Sequence, residues 1–158
     1  MRIKDSGERR KFETGAVRDI AEGKGRCDLL PLITIGKMRD DVVLQDIGKY
    51  VYDGDTSHIE HAIEYFSSLR YHTFYDSMLE VSKHYEDGAT KYADRNWEKG
   101  IPCHCYIDSG VRHYLKYMKG DNDERHDRAF IWNMLGLLWT HENKPELIDL
   151  PFAEEEEK

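Results

Sequence analysis

Apolar residues recur along most of this chain at the spacing of a helix. Over residues 37–52, Met38, Val42, Val43, Ile47 and Val51 share one side, which predicts a short amphipathic helix. Asp53-Gly54-Asp55 interrupts it, and Thr56 or Ser57 can cap the next. That next helix is predicted over 59–69, with Ile59, Ala62, Ile63, Phe66 and Leu69 on one face. A third is predicted over 74–92, its stripe formed by Met78, Val81, Tyr85, Gly88 and Tyr92. A fourth, over 106–119, carries Ile107, Val111, Tyr114, Leu115 and Met118. The fifth is expected over 123–141, and its segment 129–139 is apolar except for Asn133 and Gly136. A helix apolar nearly all round belongs at the centre of a bundle. Pro102 and Gly120 mark the breaks between these last three. Alternation at period two never persists for six residues, so no strand is expected and the predicted class is all-α.

The first 31 residues break this pattern. They hold four of the twelve glycines (Gly7, Gly15, Gly23 and Gly25) among Arg9, Arg10, Arg18, Asp19, Lys24, Arg26 and Asp28. This reads as an irregular arm. Phe12, Ala16, Val17 and Ile20 give it something to pack, and Leu29-Leu30-Pro31-Leu32-Ile33 anchors its end. Cations beside small glycine turns suit an anion such as a triphosphate. The alternative is a flexible charged tail. At the other end, the like-charge run from Glu154 to Glu157 is expected to be disordered.

Length and composition narrow the picture. A chain of 158 residues suits one domain, taken here as 1–152 with an arm over 1–31, followed by an acidic tail over 153–158. A hydrophobic fraction of 39% against 34% charged suits a helical protein with much solvated surface. The net charge of −8 argues against general nucleic-acid binding, which needs basic patches to displace phosphate counterions. No apolar run approaches the roughly 18 residues of a membrane helix, and the N-terminus lacks the apolar stretch of a signal peptide. Cys27, Cys103 and Cys105 make no disulfide framework, so a cytoplasmic setting is expected. Cys103-His104-Cys105 falls short of the two spaced ligand pairs of a structural zinc site.

Candidate chemistry lies on the last three helices, whose carboxylates and histidines can converge only inside a bundle, where such clusters hold metals. Glu80, His84, Asp87 and Lys91 follow helical spacing, and a solvent-facing charge ladder accounts for Glu80 and Lys91. Glu86 has Leu79, Ser82 and Ala89 as helical neighbours. Burying a carboxylate there costs several kcal/mol unless a cation partners it. Glu86 is therefore the first metal-ligand candidate, and Asp87 the second. His113 follows the small residues Ser109 and Gly110, which leave room for a ligand, while Arg112 and Lys116 beside it make phosphate contact an equal alternative. Asp123 and His126, three apart, can share one ion; helix N-terminal chemistry explains Asp123 and Glu124 but gives His126 no role. Asn133 lies on the His126 face, and an unsatisfied amide there would cost about 1–3 kcal/mol. It should bind another buried polar group, a ligand or a metal-bound water. Asp94, Arg95, Asn96 and Trp97 form a loop that either stacks and hydrogen-bonds a nucleobase or simply packs Trp97 into the core.

Several of these segments carry a resemblance. The runs Ser6-Gly7-Glu8-Arg9-Arg10, Thr14-Gly15-Ala16-Val17-Arg18-Asp19 and Gly23-Lys24-Gly25-Arg26-Cys27-Asp28-Leu29-Leu30-Pro31 resemble the N-terminal signature of the phage dATP/dGTP diphosphohydrolases. Residues 88–102, Asp108-Ser109, Arg112-His113, Asp123-Glu124-Arg125-His126 and Trp132-Asn133 are similar to the rest of that pattern. The resemblance implies an all-α, MazG-like helix bundle of the MazZ kind. It implies cleavage of a purine deoxynucleoside triphosphate, dGTP above dATP, to the monophosphate and pyrophosphate, with Mg²⁺ or Mn²⁺. In phages that host such enzymes the product dGMP feeds 2-aminoadenine deoxynucleotide synthesis, in the host cytoplasm. A homo-oligomer, dimer or tetramer, is also implied, and the stripes Ile59-Ile63-Phe66 and Met38-Val42 point the same way if one thin bundle leaves them uncovered.

These readings together give an expected site. Glu86 and His126 are catalytic, and Glu86, Asp87, His113, Asp123 and His126 ligate metal. Arg9, Arg10, Lys24, Arg26, Lys91, Asn96, Trp97, Arg112 and Asn133 bind substrate. Two departures from the family stand out. Residues 38–78 look like a helical insertion, and Glu-x-x-Glu followed by Glu-x-x-Asp is absent, since Lys83 precedes Glu86 and Asp123 pairs with His126. Two alternatives remain. His113 with the His126-Asp127 doublet resembles the ligand set of HD-type phosphohydrolases, and 31 acidic residues would suit a non-enzymatic protein that binds a host factor.

Overall fold

In the computed structural model, which describes residues 5–156, a two-stranded hairpin precedes seven helices, so the chain is predominantly helical as expected. The hairpin corrects the strand-free reading of the arm. Strand β1 (Arg9–Lys11) pairs antiparallel with β2 (Val17–Asp19), placing Arg10 opposite Arg18. Three residues are too few to show alternation, which is why the pattern missed it. Gly15, at φ 92°, turns the chain and donates its N–H to the Phe12 carbonyl at 2.9 Å. Ala16 in that turn is fully buried, so the arm is part of the core.

A 3₁₀ turn (Cys27–Leu29) leads into α1 (Leu32–Arg39) and α2 (Val42–Asp53). The single helix expected over 37–52 is thus two. Asp40 adopts the left-handed conformation (φ 52°), and the Asp41 carboxylate caps α2 by accepting from the Leu44 N–H at 2.9 Å. Such a cap is worth about 1 kcal/mol. α3 (Ser57–Arg70) and α4 (Phe74–Lys91) follow, and Thr73 caps α4 by accepting from the Asp76 N–H.

α5 (Cys103–Met118) and α6 (His126–Asn143) form the centre, and α6 also touches α3 and α4. Two glycines let α5 and α6 approach closely. A Cβ on Gly110 would stand 2.5 Å from Met134 Cε, and one on Gly136 would overlap the Tyr106 ring. Packed interiors cannot absorb such overlaps without shifting. Phe66 of α3 stacks on Phe130 of α6 with ring centroids 4.8 Å apart. Residues of the expected 38–78 insertion, among them Val43, Ile47, Tyr50 and Phe66, therefore share one core with α5 and α6. Ile59, Ile63 and Phe66 are covered by the chain itself, which removes that stripe as an argument for oligomerisation. Cys103 and Cys105 are core residues as well.

The tail also differs from expectation. Residues Pro151–Glu156 form a short helix, α7, whose Phe152 packs edge-on against Tyr50 at 5.4 Å; Glu157 lies outside the described residues. No helix among the described residues is long and apolar enough to cross a membrane.

Candidate active site

The hairpin, the second half of α4, loop 92–97 and the α5–α6 seam enclose a cavity of about 600 Å³. That is within the usual range for small-molecule sites. Among the described residues, seven lysines and arginines line it against four carboxylates. A cavity richer in cations, in a chain of net charge −8, concentrates anions at that one place.

Arg18 crosses from β2 to the cavity floor. Its Nη2 donates to Asn133 Oδ1 at 3.2 Å, and its guanidinium lies 5.6 Å from the Tyr106 ring and 5.4 Å from the Trp132 ring. Nη1 of Arg18 and Nε of Arg10 are buried with no hydrogen-bond partner, and burial lowers the Arg18 pKa. A buried donor on a cation is costly unless something completes it. Asn133 satisfies its own amide by donating to the Ala129 carbonyl at 2.8 Å. The buried partner demanded by Asn133 is therefore Arg18, a residue absent from the expected site. Its signal was cross-strand pairing with Arg10, legible only once the hairpin is known.

The arm is clamped over the seam by side chains. Asp108 accepts from the Cys27 N–H at 2.7 Å and from Arg112 Nη2 at 2.7 Å, and Arg112 also donates to the Gly25 carbonyl. Asn96 accepts from the Val17 N–H at 2.9 Å and donates to the Val17 carbonyl at 2.7 Å, like a further strand beside β2. Its amide is engaged with the backbone and is not free to read a base. Trp97 forms a wall, edge-on to Trp139 at 5.1 Å and to Tyr85 at 6.0 Å. Arg10, Lys24, Lys91 and Arg112 line the cavity. Arg9 and Arg26 do not: Arg9 pairs with Asp5 at 2.7 Å, and Arg26 with Asp28 at 2.7 Å.

His113 and Glu124, which line the cavity, form a cluster with the buried His126 behind them. The two Nδ1 atoms are 2.9 Å apart, and each lies 3.7 Å from Glu124 Oε1. His126 is fully enclosed, and its Nε2 faces Asp123 Oδ1 at 2.7 Å. Burial pushes His113 well below its ordinary value, with His126 adding to the shift, so the ring is neutral and able to ligate. Nearby on α4, burial and then Arg18 push His84 down to about 4. The helix expected over 123–141 places Glu124 in its first turn. α6 begins only at His126, so residues 121–125 form a loop that places Glu124 beside both rings.

The donor set can be tested against an ion. Donors about 2.1 Å from a metal stand roughly 3.0–3.5 Å from one another in octahedral or tetrahedral geometry. The observed separations of 2.9, 3.7 and 3.7 Å bracket that range, so the residues fit a divalent ion. Two imidazoles and one carboxylate suit Mn²⁺ and later transition metals better than Mg²⁺, which wants oxygen.

Glu86 does not join this cluster. It is exposed, Asp87 is half-buried, and neither lines the cavity. α4 turns His84, Tyr85, Gly88 and Lys91 inward, which at 3.6 residues per turn points Glu86 away. Leu79, one of the helical neighbours of Glu86, is 69% exposed, so that face is not covered there. Glu80 is no solvent ladder residue either, since it binds Arg128 of α6. Asp127 faces Arg70 at 3.1 Å, Arg125 at 2.8 Å and Tyr71. Burial works to raise its carboxyl, but the Arg125 and Tyr71 hydrogen bonds overcome this and hold it at about 2. The His126-Asp127 doublet thus points two ways, unlike the ligand pair that an HD-type site requires.

An all-α protein with a cationic cavity beside a His₂Glu cluster is the class these features define. Residues 67–150, just over half of the chain, match the family described as dATP/dGTP diphosphohydrolase, N-terminal. The chain belongs to that family. The match takes in all of α4, α5 and α6, hence the cluster and Asn133, while the hairpin arm with Arg18 lies outside it. No curated protein and no solved structure matches the chain.

Proposed function

We propose that this protein hydrolyses a purine deoxynucleoside triphosphate, dGTP ahead of dATP, to the monophosphate and pyrophosphate. The observation that carries this reading is the cation-lined cavity of nucleotide size beside the His113–Glu124–His126 cluster, in an otherwise acidic chain. Family membership supports the same substrate class.

Arg18 on the floor and Arg10, Lys24 and Lys91 around it hold the phosphates, since charge-assisted contacts to phosphate are the strong ones. Tyr92, Trp97 and Trp132 supply apolar walls for the purine. His113, Glu124 and His126 hold a divalent ion, Mn²⁺ in preference to Mg²⁺. Such an ion, when bound, supplies charge neutralisation and Lewis acidity. Water adds to the α-phosphorus, the bond to the α,β-bridging oxygen breaks, and pyrophosphate leaves. dGMP made this way is what 2-aminoadenine deoxynucleotide synthesis in phages consumes, and we place the enzyme there.

We assign the active form to a homo-oligomer, dimer or tetramer. Besides the family resemblance, Tyr75 and Leu79, one turn apart on α4, are 78% and 69% exposed. Light scattering checks the assembly, and a fully active monomer would remove it. Turnover of the four deoxynucleoside triphosphates with Mn²⁺, followed by chromatography, tests the activity. Conversion of dGTP to dGMP supports it, and no turnover of any of the four removes it.

A further inference from the structure

We infer that His113, Glu124 and His126 form a centre selective for a borderline transition metal over Mg²⁺, with Asp123 as the positioning residue that sets the His126 tautomer. The inference rests on the ion placement and the Mn²⁺ preference proposed above, extends that preference to the later transition metals, and adds the role of Asp123.

The tautomer follows from one contact. Asp123 Oδ1 stands 2.7 Å from His126 Nε2. An ionised carboxylate can only accept, so Nε2 carries the proton. With the proton on Nε2, Nδ1 carries the ring's lone pair. It is aimed at His113 Nδ1, 2.9 Å away, inside a site where the His126 side chain has no exposure at all. Glu124 Oε1 lies 3.7 Å from both nitrogens, too far to hydrogen-bond either ring. His113 Nδ1–H can donate to the His126 lone pair; with the His113 proton on Nε2 instead, two imidazole nitrogens and Glu124 Oε1 converge on one point that a cation can occupy. A carboxylate on the far nitrogen of a ligating histidine is the usual outer partner in metal sites, where it fixes the ring and raises its basicity.

The metal class follows from the donors. Nitrogen ligands favour metals along the series from Mn²⁺ through Co²⁺ to Zn²⁺, whereas Mg²⁺ sheds water reluctantly and takes oxygen ligands.

The test uses the whole protein, stripped by a chelator and examined without nucleotide. Titration with Co²⁺ is followed by its visible absorption, and Mn²⁺ binding by equilibrium dialysis with and without a large excess of Mg²⁺. One ion per chain, with cobalt bands typical of mixed nitrogen and oxygen ligands and no displacement by Mg²⁺, is the expected result. Glu124→Gln, at a partly exposed position that spares the core, should lose the bands while circular dichroism stays unchanged. Asp123→Ala should keep the same bands but bind about 10–100-fold more weakly. Absence of bands, or displacement of Mn²⁺ by Mg²⁺, overturns the metal class. Wild-type affinity in Asp123→Ala overturns its positioning role. Hydrolysis of dGTP with Mg²⁺ in a protein that shows no cobalt bands would sink this inference alone. Tight Co²⁺ binding without turnover of any nucleotide would sink the activity alone.

Discussion

Arg18 on the hairpin donates to Asn133 on the central helix across 3.2 Å, joining two segments 115 residues apart. The contact ties the arm to the cavity floor and leaves Nη1 of Arg18 buried without a partner. A guanidinium held this way is organised before any ligand arrives, so little ordering is left to oppose binding.

Replacing Arg18 by Met keeps the stem and removes the charge. Charge-assisted hydrogen bonds to phosphate are worth about 1.5–3 kcal/mol, or roughly 10–150-fold in affinity. Calorimetry with a non-hydrolysable dGTP analogue should show a loss of that size, while the urea midpoint holds or rises because an incompletely paired buried cation is gone. Unchanged affinity would remove Arg18 from the site.

Asn96 acts through the hairpin. Asn96→Ala strips the Val17 N–H and carbonyl of their partners and should destabilise the protein by about 1–3 kcal/mol. Asn96→Asp keeps the acceptor for the Val17 N–H and should recover part of the loss. Urea unfolding of the two variants gives the comparison, and equal stability to wild type would show that the amide is no latch.

Glu86 and Glu124 separate the pattern from the fold. Glu86→Gln should bind Mn²⁺ and turn over dGTP at near wild-type rates, because Glu86 is exposed and outside the cavity. Glu124→Gln should lose both. The reverse result would return the site to the exposed side of α4.

A pH effect is expected far from the cavity. His104 at the start of α5 is raised to about 10, chiefly by its hydrogen bond to Asp149 and then by Cys105. A raised histidine stabilises fully below its unfolded value near 6.5, and that contribution is lost as pH climbs through the folded value. The difference in thermal midpoint between wild type and Asp149→Asn should therefore be constant between about pH 5 and 6.5, shrink towards about pH 10, and shrink again in acid as Asp149, itself held below its ordinary value, takes up a proton. A difference that grows with pH would contradict the pairing.

The helices of the centre were legible because α3, α4 and α5 each carry an apolar stripe at helical spacing and α6 is apolar nearly all round. The break between α1 and α2 was hidden because Met38 and Val42 keep phase across it, while the left-handed Asp40 and the Asp41 cap do the breaking. The hairpin was hidden by its length. At the site, Asn133 could be singled out because an amide within an apolar segment conflicts with its surroundings, and His113 because the small residues before it leave room. Glu124 could not, since the acid of a helix N-terminus and the acid of a loop look alike until the helix start is known. Glu86 misled for a related reason, as periodicity places a residue on a face but does not say which face another helix covers.

The central claim is attack on the α-phosphorus of a purine deoxynucleoside triphosphate. Mass spectrometry of the products formed from dGTP in ¹⁸O-labelled water, with Mn²⁺, tests it most directly. The account predicts one labelled oxygen in dGMP and none in pyrophosphate. Label in pyrophosphate would move the attack to the β-phosphorus, and release of dGDP with phosphate, or of deoxyguanosine with intact triphosphate, would contradict it outright.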